Sequence, residues 1–172
     1  VFERQRQVYV CEEQHGRRLF LQPGLRKGRR SAKPNPKRNE RFLAKHICEE
    51  GFTLLAKKDG QTAAIMIVRI PGMAEDNLGE YLKISREEME RVAHLEIAVV
   101  EPEYQGYGLQ YELFCQAEEI VKNKQMRYLM ATVHPDNIYS FRNMEKLGMK
   151  AVLETKKYGG KRRYVMSKTL EY

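Results

Sequence analysis

The chain has 172 residues, of which 42% are hydrophobic and 31% are charged, and its formal net charge is +8. This length and composition are typical of one globular domain that spans residues 1–172 and buries a core. The sequence holds no long apolar run and no secretory signal, so we expect a soluble, cytoplasmic protein without a membrane span. Its three cysteines are scattered and give no zinc or redox motif.

The positive charge is compatible with three kinds of partner, namely a nucleic acid, an acidic protein or a polyanionic cofactor. The most basic segment is residues 17–38, which holds nine lysines and arginines among prolines and glycines. Such a run favours a solvated loop, and a recognition loop for an acidic substrate or a phosphate is the alternative. Because the chain has no aromatic platform or finger motif, we expect no nucleic-acid partner.

The first half of the chain predicts two helices and a hairpin. Residues 1–14 favour a helix, although Val8–Val10 would also suit a strand. The chain begins at Val1 rather than at a methionine, which is compatible with a missing N-terminal element and leaves the completeness of the N-terminus open. A second helix is expected from Asn35-Pro36 to Gly51, because proline suits a first turn and glycine a C-terminal stop. Two strands, residues 52–58 and 61–70, then flank Asp59-Gly60, which is a hairpin signal.

The middle of the chain predicts a short helix followed by a strand, a turn and a longer helix. Ser85 to Glu88 has capping-box spacing, after an irregular crossing over residues 73–81. From Leu95 the sequence suits a buried strand, which Pro102 ends. Gly106 and Gly108 then precede an apolar helical face: Leu109, Leu113, Phe114, Ala117, Ile120 and Val121. The first N–H groups of such a helix are unpaired and lie at the positive end of its dipole, so this turn can hold a phosphate.

The last third predicts a strand over residues 127–133, a helix over residues 137–147, and a hairpin of strands 149–157 and 161–169. Strands that alternate with helices pair in parallel, whereas hairpin strands pair antiparallel. The fold class is therefore α/β, with a mixed, partly parallel central sheet and helices on both faces. The ligand is expected beyond the carboxyl end of the central strand.

Two segments of the chain resemble the GNAT N-acetyltransferases. The run Gln105-Gly106-Tyr107-Gly108-Leu109-Gln110 resembles the acetyl-CoA signature of that family, matched by Gln105 and Gly108, whereas Gln110 replaces a small residue. The second segment runs from Asn137 to Gly148 and matches at Asn137, Ser140 and the sequence Glu145-Lys146-Leu147-Gly148. The resemblance covers about residues 50–170, and residues 1–50 match weakly.

This resemblance implies that acetyl-CoA donates an acetyl group directly to a primary amine in a ternary complex. The backbone of the central strand at Ile97, Ala98 and Val99 would pair with pantetheine, and an N–H near Ile97 or Ala98 would stabilise the oxyanion. Backbone N–H groups of the turn would take the pyrophosphate, namely those of Gln105, Gly106, Tyr107, Gly108, Leu109 and Gln110. Asn137 would hydrogen-bond the pantetheine arm, with Ser140 in the same segment. No metal is expected.

Glu96 is the expected general base, because an alkyl ammonium near pKa 10.4 must lose a proton before it attacks. Strand alternation places Glu96 on the same side as His94 and Ala98, and opposite Leu95, Ile97 and Val99. His94 is the second choice, because the unperturbed pKa of histidine lies near neutrality.

The proton donor to the leaving thiolate is less clearly marked. The resemblance implies a tyrosine before Glu145-Lys146, where this chain has Met144, so Tyr139 is the expected substitute. Tyr104 and Tyr107 are weaker candidates. The main alternative function is therefore an acetyl-CoA-binding sensor or interaction module of the same fold without turnover. The acceptor is left open between a polyamine, an amino acid, an antibiotic and a protein N-terminus, and so is homodimer formation.

Overall fold

A seven-stranded sheet organises the part of the chain that the computed structural model describes, which is residues 7–11, 50–58 and 61–171, with the backbone alone for residues 7–11 and 58. The spatial order of the strands is β1-β2-β3-β4-β5-β7-β6. Only β4 and β5 pair in parallel, and the other neighbours are antiparallel. The predicted mixed, partly parallel sheet is thus confirmed. The strands are β1 Gln7–Cys11, β2 Gly51–Lys58, β3 Gln61–Arg69, β4 Val92–Val100, β5 Tyr128–Val133, β6 Lys150–Lys157 and β7 Lys161–Thr169.

Three α-helices and two 3₁₀ helices connect the strands in the described residues: α1 Arg86–Met89, α2 Leu109–Asn123, α3 Ile138–Lys146, and the 3₁₀ helices Leu78–Leu82 and Pro102–Tyr104. The capping box predicted before α1 is present, because Ser85 Oγ accepts from the Glu88 N–H and the Glu88 carboxylate accepts from the Ser85 N–H. None of the helices in this part of the chain is long and apolar enough to cross a membrane.

Each face of the sheet is covered by helical segments, which confirms the predicted layers. On one face, α2 and α3 pack on the sheet through a core that includes Phe114 and Met144. The apolar residues of α2 recur every three or four positions, so they form one stripe that faces the sheet. On the other face, the 3₁₀ helix Leu78–Leu82 covers a smaller cluster: Val92, Tyr128, Met130 and Val165.

The helix predicted over residues 1–14 is wrong at residues 7–11, which form β1. This strand pairs antiparallel with β2, and Val8 and Val10 lie opposite Ala56 and Leu54. Pairing with an otherwise exposed strand edge outweighs the weak helical periodicity of so short a segment. The basic segment 17–38, the helix predicted from Asn35-Pro36 and the Asp59-Gly60 turn lie outside the described residues.

Candidate active site

The two parallel strands at the centre of the sheet separate part of the way along their length. Their pairing runs from Val92 opposite Tyr128 to Leu95 opposite Ala131. Beyond this point β4 continues to Val100 and β5 to Val133, with no pairing between residues 96–100 and residues 132–133. The edge of β4 that faces β5 is therefore available to pair with an extended ligand.

Glu96 lies in a β-bulge at the point where β4 leaves β5. On the neighbouring strand, Val68 lies opposite Leu95 and Ile67 lies opposite Ile97, so Glu96 is the extra residue. A bulge of this kind bends the strand and reverses the alternation of side chains beyond it.

The bulge corrects the predicted orientation of the second half of β4. Ala98 packs against the same core cluster as Leu95, so it does not share a face with Glu96 as predicted. Ile97 and Val99 therefore lie on the opposite side of the strand from Ala98, and Val99 is 49% exposed although a buried strand was predicted. Simple alternation fails here because it cannot count an inserted residue.

The glycine turn leads directly into the N-terminus of α2. Gly106 and Gly108 have φ angles of +82° and +77°, which favour glycine. Gly108 is the N-cap and receives no side-chain cap bond, and the bond from the Glu112 N–H to the Gly108 oxygen, at 3.0 Å, closes the first turn. The N–H groups of the first turn thus lack intrahelical partners and suit an anion. A Cβ built on either glycine would meet no atom within 4 Å, so there is room for a ligand.

The two sequence motifs meet in space through polar side chains of α2 and α3. Gln110 accepts a hydrogen bond from Asn143 Nδ2 at 2.8 Å and donates one to Ser140 Oγ at 3.3 Å. Asn137 caps α3, because its Oδ1 accepts from the Ser140 N–H at 3.2 Å. Gln105 donates to the carbonyl oxygen of Val100 at 3.3 Å and thereby closes the loop after β4. The second motif therefore lies beside the glycine turn, about thirty residues away in sequence.

His94 and Glu96 form a pair on the face opposite α2. The Nε2 atom of His94 accepts a hydrogen bond from the Leu78 N–H at 3.1 Å, and Nδ1 lies 3.7 Å from Glu96 Oε2. Burial lowers the pKa of His94, although the Glu96 carboxylate acts in the opposite direction. His94 is therefore uncharged at neutral pH and its acceptor nitrogen is occupied, whereas the Glu96 side chain is 20% exposed and can exchange a proton with a ligand.

The three candidate tyrosines for proton donation, and the methionine at the position where the resemblance implies a tyrosine, differ sharply in exposure. Met144 is 4% exposed and belongs to the core, whereas Tyr139, in the first turn of α3, is 85% exposed. Tyr107 is 45% exposed in the glycine turn, and Tyr104 packs partly against the core. Tyr139 is therefore the more accessible hydroxyl on α3.

One buried charge beside this site was not predicted. Arg69 is 4% exposed and lies opposite His94 on β3. Its guanidinium binds Glu50 at 3.0 Å and Asp76 through two bonds of 2.7 and 2.9 Å. Burial opposes its charge, but these carboxylates raise the pKa of Arg69 overall. The available signal was a single arginine inside the apolar run from Ile65 to Ile70, because such a charge must be paired.

Tyr158 is a second unpredicted neighbour of the separated strands. It lies in the turn between β6 and β7 with a φ angle of +52°, and its hydroxyl is 3.4 Å from Thr132 Oγ1. Thr132 belongs to the part of β5 that no longer pairs with β4. The turn therefore lies beside the end of β5. Local sequence patterns do not predict this contact, because it joins residues 26 positions apart.

The described residues contain no evident metal-binding site. No group of three or more histidine, cysteine, aspartate or glutamate side chains there could hold a metal ion. The expectation of a metal-free site stays a prediction.

The chain is similar to known acetyltransferases. Residues 23–149, more than half of the chain, match the family model described as the acetyltransferase (GNAT) family. No curated protein matches the chain. The ribosomal-protein-S18-alanine N-acetyltransferase from Escherichia coli superimposes with a TM-score of 0.60 at 18% identity, covering 77% of each chain.

Two further solved structures share this architecture. A GNAT-family acetyltransferase from Streptococcus pneumoniae has a TM-score of 0.59 at 22% identity, over 81% of this chain and 79% of that chain. A Bacillus subtilis acetyltransferase in complex with CoA has a TM-score of 0.59 at 11% identity, over 80% of this chain and 86% of that chain. At such low identity these superpositions establish the shared fold.

Proposed function

The chain belongs to the GNAT acetyltransferase family, and from that premise we propose that it transfers an acetyl group from acetyl-CoA to a primary amine in one ternary complex. The observation that carries the proposal is the arrangement of β4. This strand separates from β5 at Leu95 and leads into the glycine turn that begins α2. A single segment thus offers an open strand edge for an extended chain and the N-terminus of a helix for a phosphate.

The residues around this segment fit acetyl-CoA. The backbone of Ile97, Ala98 and Val99 would pair with pantetheine, and the amides of residues 106–110 would take the pyrophosphate. The Gln105 N–H donates to the Pro102 carbonyl oxygen at 3.3 Å in this structure, so Gln105 would contribute only if that bond opened. Asn137 uses its Oδ1 to cap α3, so the group that it can offer to the pantetheine arm is its Nδ2 donor. Ser140 is 7% exposed and acts by holding Gln110. Acetyl-CoA supplies the acetyl group as a thioester, whose carbonyl carbon the amine attacks.

Glu96 is the proposed base for the acceptor. An alkyl ammonium has a pKa of about 10.4, so it must transfer a proton to a nearby group before its nitrogen can attack. Glu96 lies in the bulge where the strands separate, and its carboxylate is partly exposed. The N–H near Ile97 or Ala98 would stabilise negative charge on the carbonyl oxygen. Tyr139 would protonate the sulfur that leaves.

The assay is the release of free CoA thiol when acetyl-CoA is supplied with amines. The panel should include polyamines, amino acids, aminoglycosides and peptides that begin with alanine, because one structural neighbour is a ribosomal-protein-alanine acetyltransferase. We expect at least one class of amine to release thiol in proportion to the acetylated amine.

A cytoplasmic location is part of the proposal, and the free thiol of half-buried Cys115 is compatible with a reducing compartment.

The base is tested with Glu96→Gln, and Glu103→Gln, an exposed glutamate after β4, is the matched control. Loss of general-base catalysis should lower kcat by about 10²–10⁴-fold, with little change in the Kd of acetyl-CoA. The control should match the unaltered protein. Equal turnover of Glu96→Gln and the control across the pH range would refute the base assignment.

The second candidate function is an acetyl-CoA sensor of the same fold. The observation that favours it is the buried position of Met144, which places no proton donor where the family has a tyrosine. Acetyl-CoA binding by calorimetry without thiol release from any amine in the panel would support the sensor. Turnover with any amine at a rate above spontaneous hydrolysis would eliminate it. Homodimer formation stays open under both functions.

A further inference from the structure

His94 is held in one tautomer and one orientation by the 3₁₀ helix that covers its face of the sheet. The residue is 2% exposed, and its Nε2 accepts the Leu78 N–H at 3.1 Å. Because a neutral imidazole has one donor and one acceptor nitrogen, Nδ1 must carry the proton. That N–H is on the nitrogen 3.7 Å from Glu96 Oε2.

The anchor of His94 is itself rigid. Asn77, which is 1% exposed, caps the 3₁₀ helix by accepting from the Gly79 N–H at 2.8 Å. Its Nδ2 donates to the carbonyl oxygens of Gly72 at 2.7 Å and of Met89 at 3.0 Å. The Leu78 amide is therefore fixed relative to β4, and so is the imidazole that accepts from it.

The charges around His94 leave its Nδ1–H directed at one carboxylate. The described charged groups near it are Arg69 on β3, Asp76 before the 3₁₀ helix and Glu96 on β4. Arg69 and Asp76 bind each other through two hydrogen bonds, so each largely compensates the charge of the other. A buried polar ring costs free energy unless both nitrogens are used, which a purely apolar side chain at this position would avoid.

We propose that His94 is a positioning residue for acetyl transfer, whose Nδ1–H orients the Glu96 carboxylate at the point where β4 and β5 separate. The inference rests on the proposed role of Glu96 as the base. The Leu78 amide fixes the imidazole, the Nδ1–H of the imidazole attracts the carboxylate across 3.7 Å, and the bulge presents that carboxylate to the acceptor. This series of contacts, from Asn77 through Leu78 and His94 to Glu96, thus joins the covering 3₁₀ helix to the reacting end of the site.

Two amide substitutions separate the two contacts of His94, which are the hydrogen bond from the Leu78 N–H and the 3.7 Å approach of Nδ1 to Glu96 Oε2. His94→Gln places an amide near the Nε2 position, so it can keep the Leu78 bond and lose the donor to Glu96. His94→Asn places an amide near the Nδ1 position, so it can keep the donor and lose the Leu78 bond. If the role of His94 is merely structural, activity should follow stability in both variants. If His94 positions Glu96, His94→Gln should lose activity and keep stability, whereas His94→Asn should lose stability and keep the pH dependence of activity.

We expect His94→Gln to melt near the temperature of the unaltered protein, but to lose about tenfold in kcat, with an unchanged Kd for acetyl-CoA. In the unaltered protein the Nδ1–H donor favours the ionised form of Glu96. Its loss in His94→Gln should therefore move the acid limb of the profile of kcat against pH to higher pH, by up to about one unit. We expect His94→Asn to keep the pH profile and to melt roughly 5 °C lower, since the Leu78 N–H loses its acceptor.

An unshifted acid limb in His94→Gln, or parallel losses of activity and stability in both variants, would overturn the positioning role. Failure of the base assignment is a separate result, because it is read from Glu96→Gln alone. If neither histidine variant folds, ¹⁵N NMR of the unaltered protein decides. An Nδ1–H tautomer that responds to Glu96→Gln supports the proposal, and an Nε2–H tautomer or an absent response refutes it.

Discussion

Replacing Gly108 with alanine isolates the contribution of the glycine turn to acetyl-CoA binding. The φ angle of +77° lies in the left-handed region, and an added Cβ would meet no atom within 4 Å. The perturbation is therefore backbone strain without a steric clash in the free protein. An L-residue in this conformation costs about 1–2 kcal/mol relative to glycine. If the strained turn relaxes when it is empty, binding must restore it, which weakens acetyl-CoA binding by about 5- to 30-fold.

Gly72→Ala is the matched control, because Gly72 has a φ angle of +53° and the same empty surroundings. It follows β3 at the end of the sheet opposite the glycine turn. Thermal melts should show a comparable loss of stability for the two variants, while calorimetry with acetyl-CoA should show weaker binding only for Gly108→Ala. If both variants bind acetyl-CoA as tightly as the unaltered protein, the turn does not hold the pyrophosphate.

Two further predictions concern Tyr139 on α3 and the ion pair that joins α2 to β7. Tyr139→Phe should lower kcat without lowering the melting temperature, because the 85% exposed side chain contributes little packing, and unchanged turnover would remove Tyr139 as the proton donor. Lys168 donates hydrogen bonds to both carboxylate oxygens of Glu118, at 2.8 and 2.7 Å. Burial of Glu118 opposes ionisation of its carboxyl group, but Lys168 and Lys122 hold the pKa of Glu118 below the ordinary value. The stability that this pair contributes is present above the unfolded pKa of about 4.3 and is lost as the pH falls through the folded pKa. Lys168→Met should therefore have a lower melting temperature at neutral pH, and its melting temperature should depend less on pH in this window. Thermal melts at several pH values measure both effects.

The sequence was most informative where local chemistry determines the structure. The glycine turn was predicted because only glycine readily adopts the positive φ angles that Gly106 and Gly108 require. The capping box at Ser85 was predicted because its two hydrogen bonds join residues three positions apart. Apolar spacing placed α2 because a helix stripe depends on its own sequence.

The sequence was least informative where a distant strand decides the outcome. Residues 7–11 form a strand because β2 offers them an edge, and the pattern of these residues alone does not contain that information. The bulge at Glu96 arises from register with Ile67 and Val68 on β3, so alternation along β4 misplaced Ala98. The bond between Leu78 and His94 joins residues sixteen positions apart and required the covering 3₁₀ helix.

The two departures from the family pattern have different physical consequences. At position 110 the family contributes a small residue, but the Gln110 side chain turns to Ser140 and Asn143 on α3 and leaves the helix N-terminus unblocked. The phosphate would be bound by backbone N–H groups, which every residue except proline provides, so this substitution is compatible with binding. At position 144 the family contributes a hydroxyl, and a buried methionine cannot donate a proton. Under the proposed function, binding and turnover are therefore separable, and turnover would depend on a donor from elsewhere in the site.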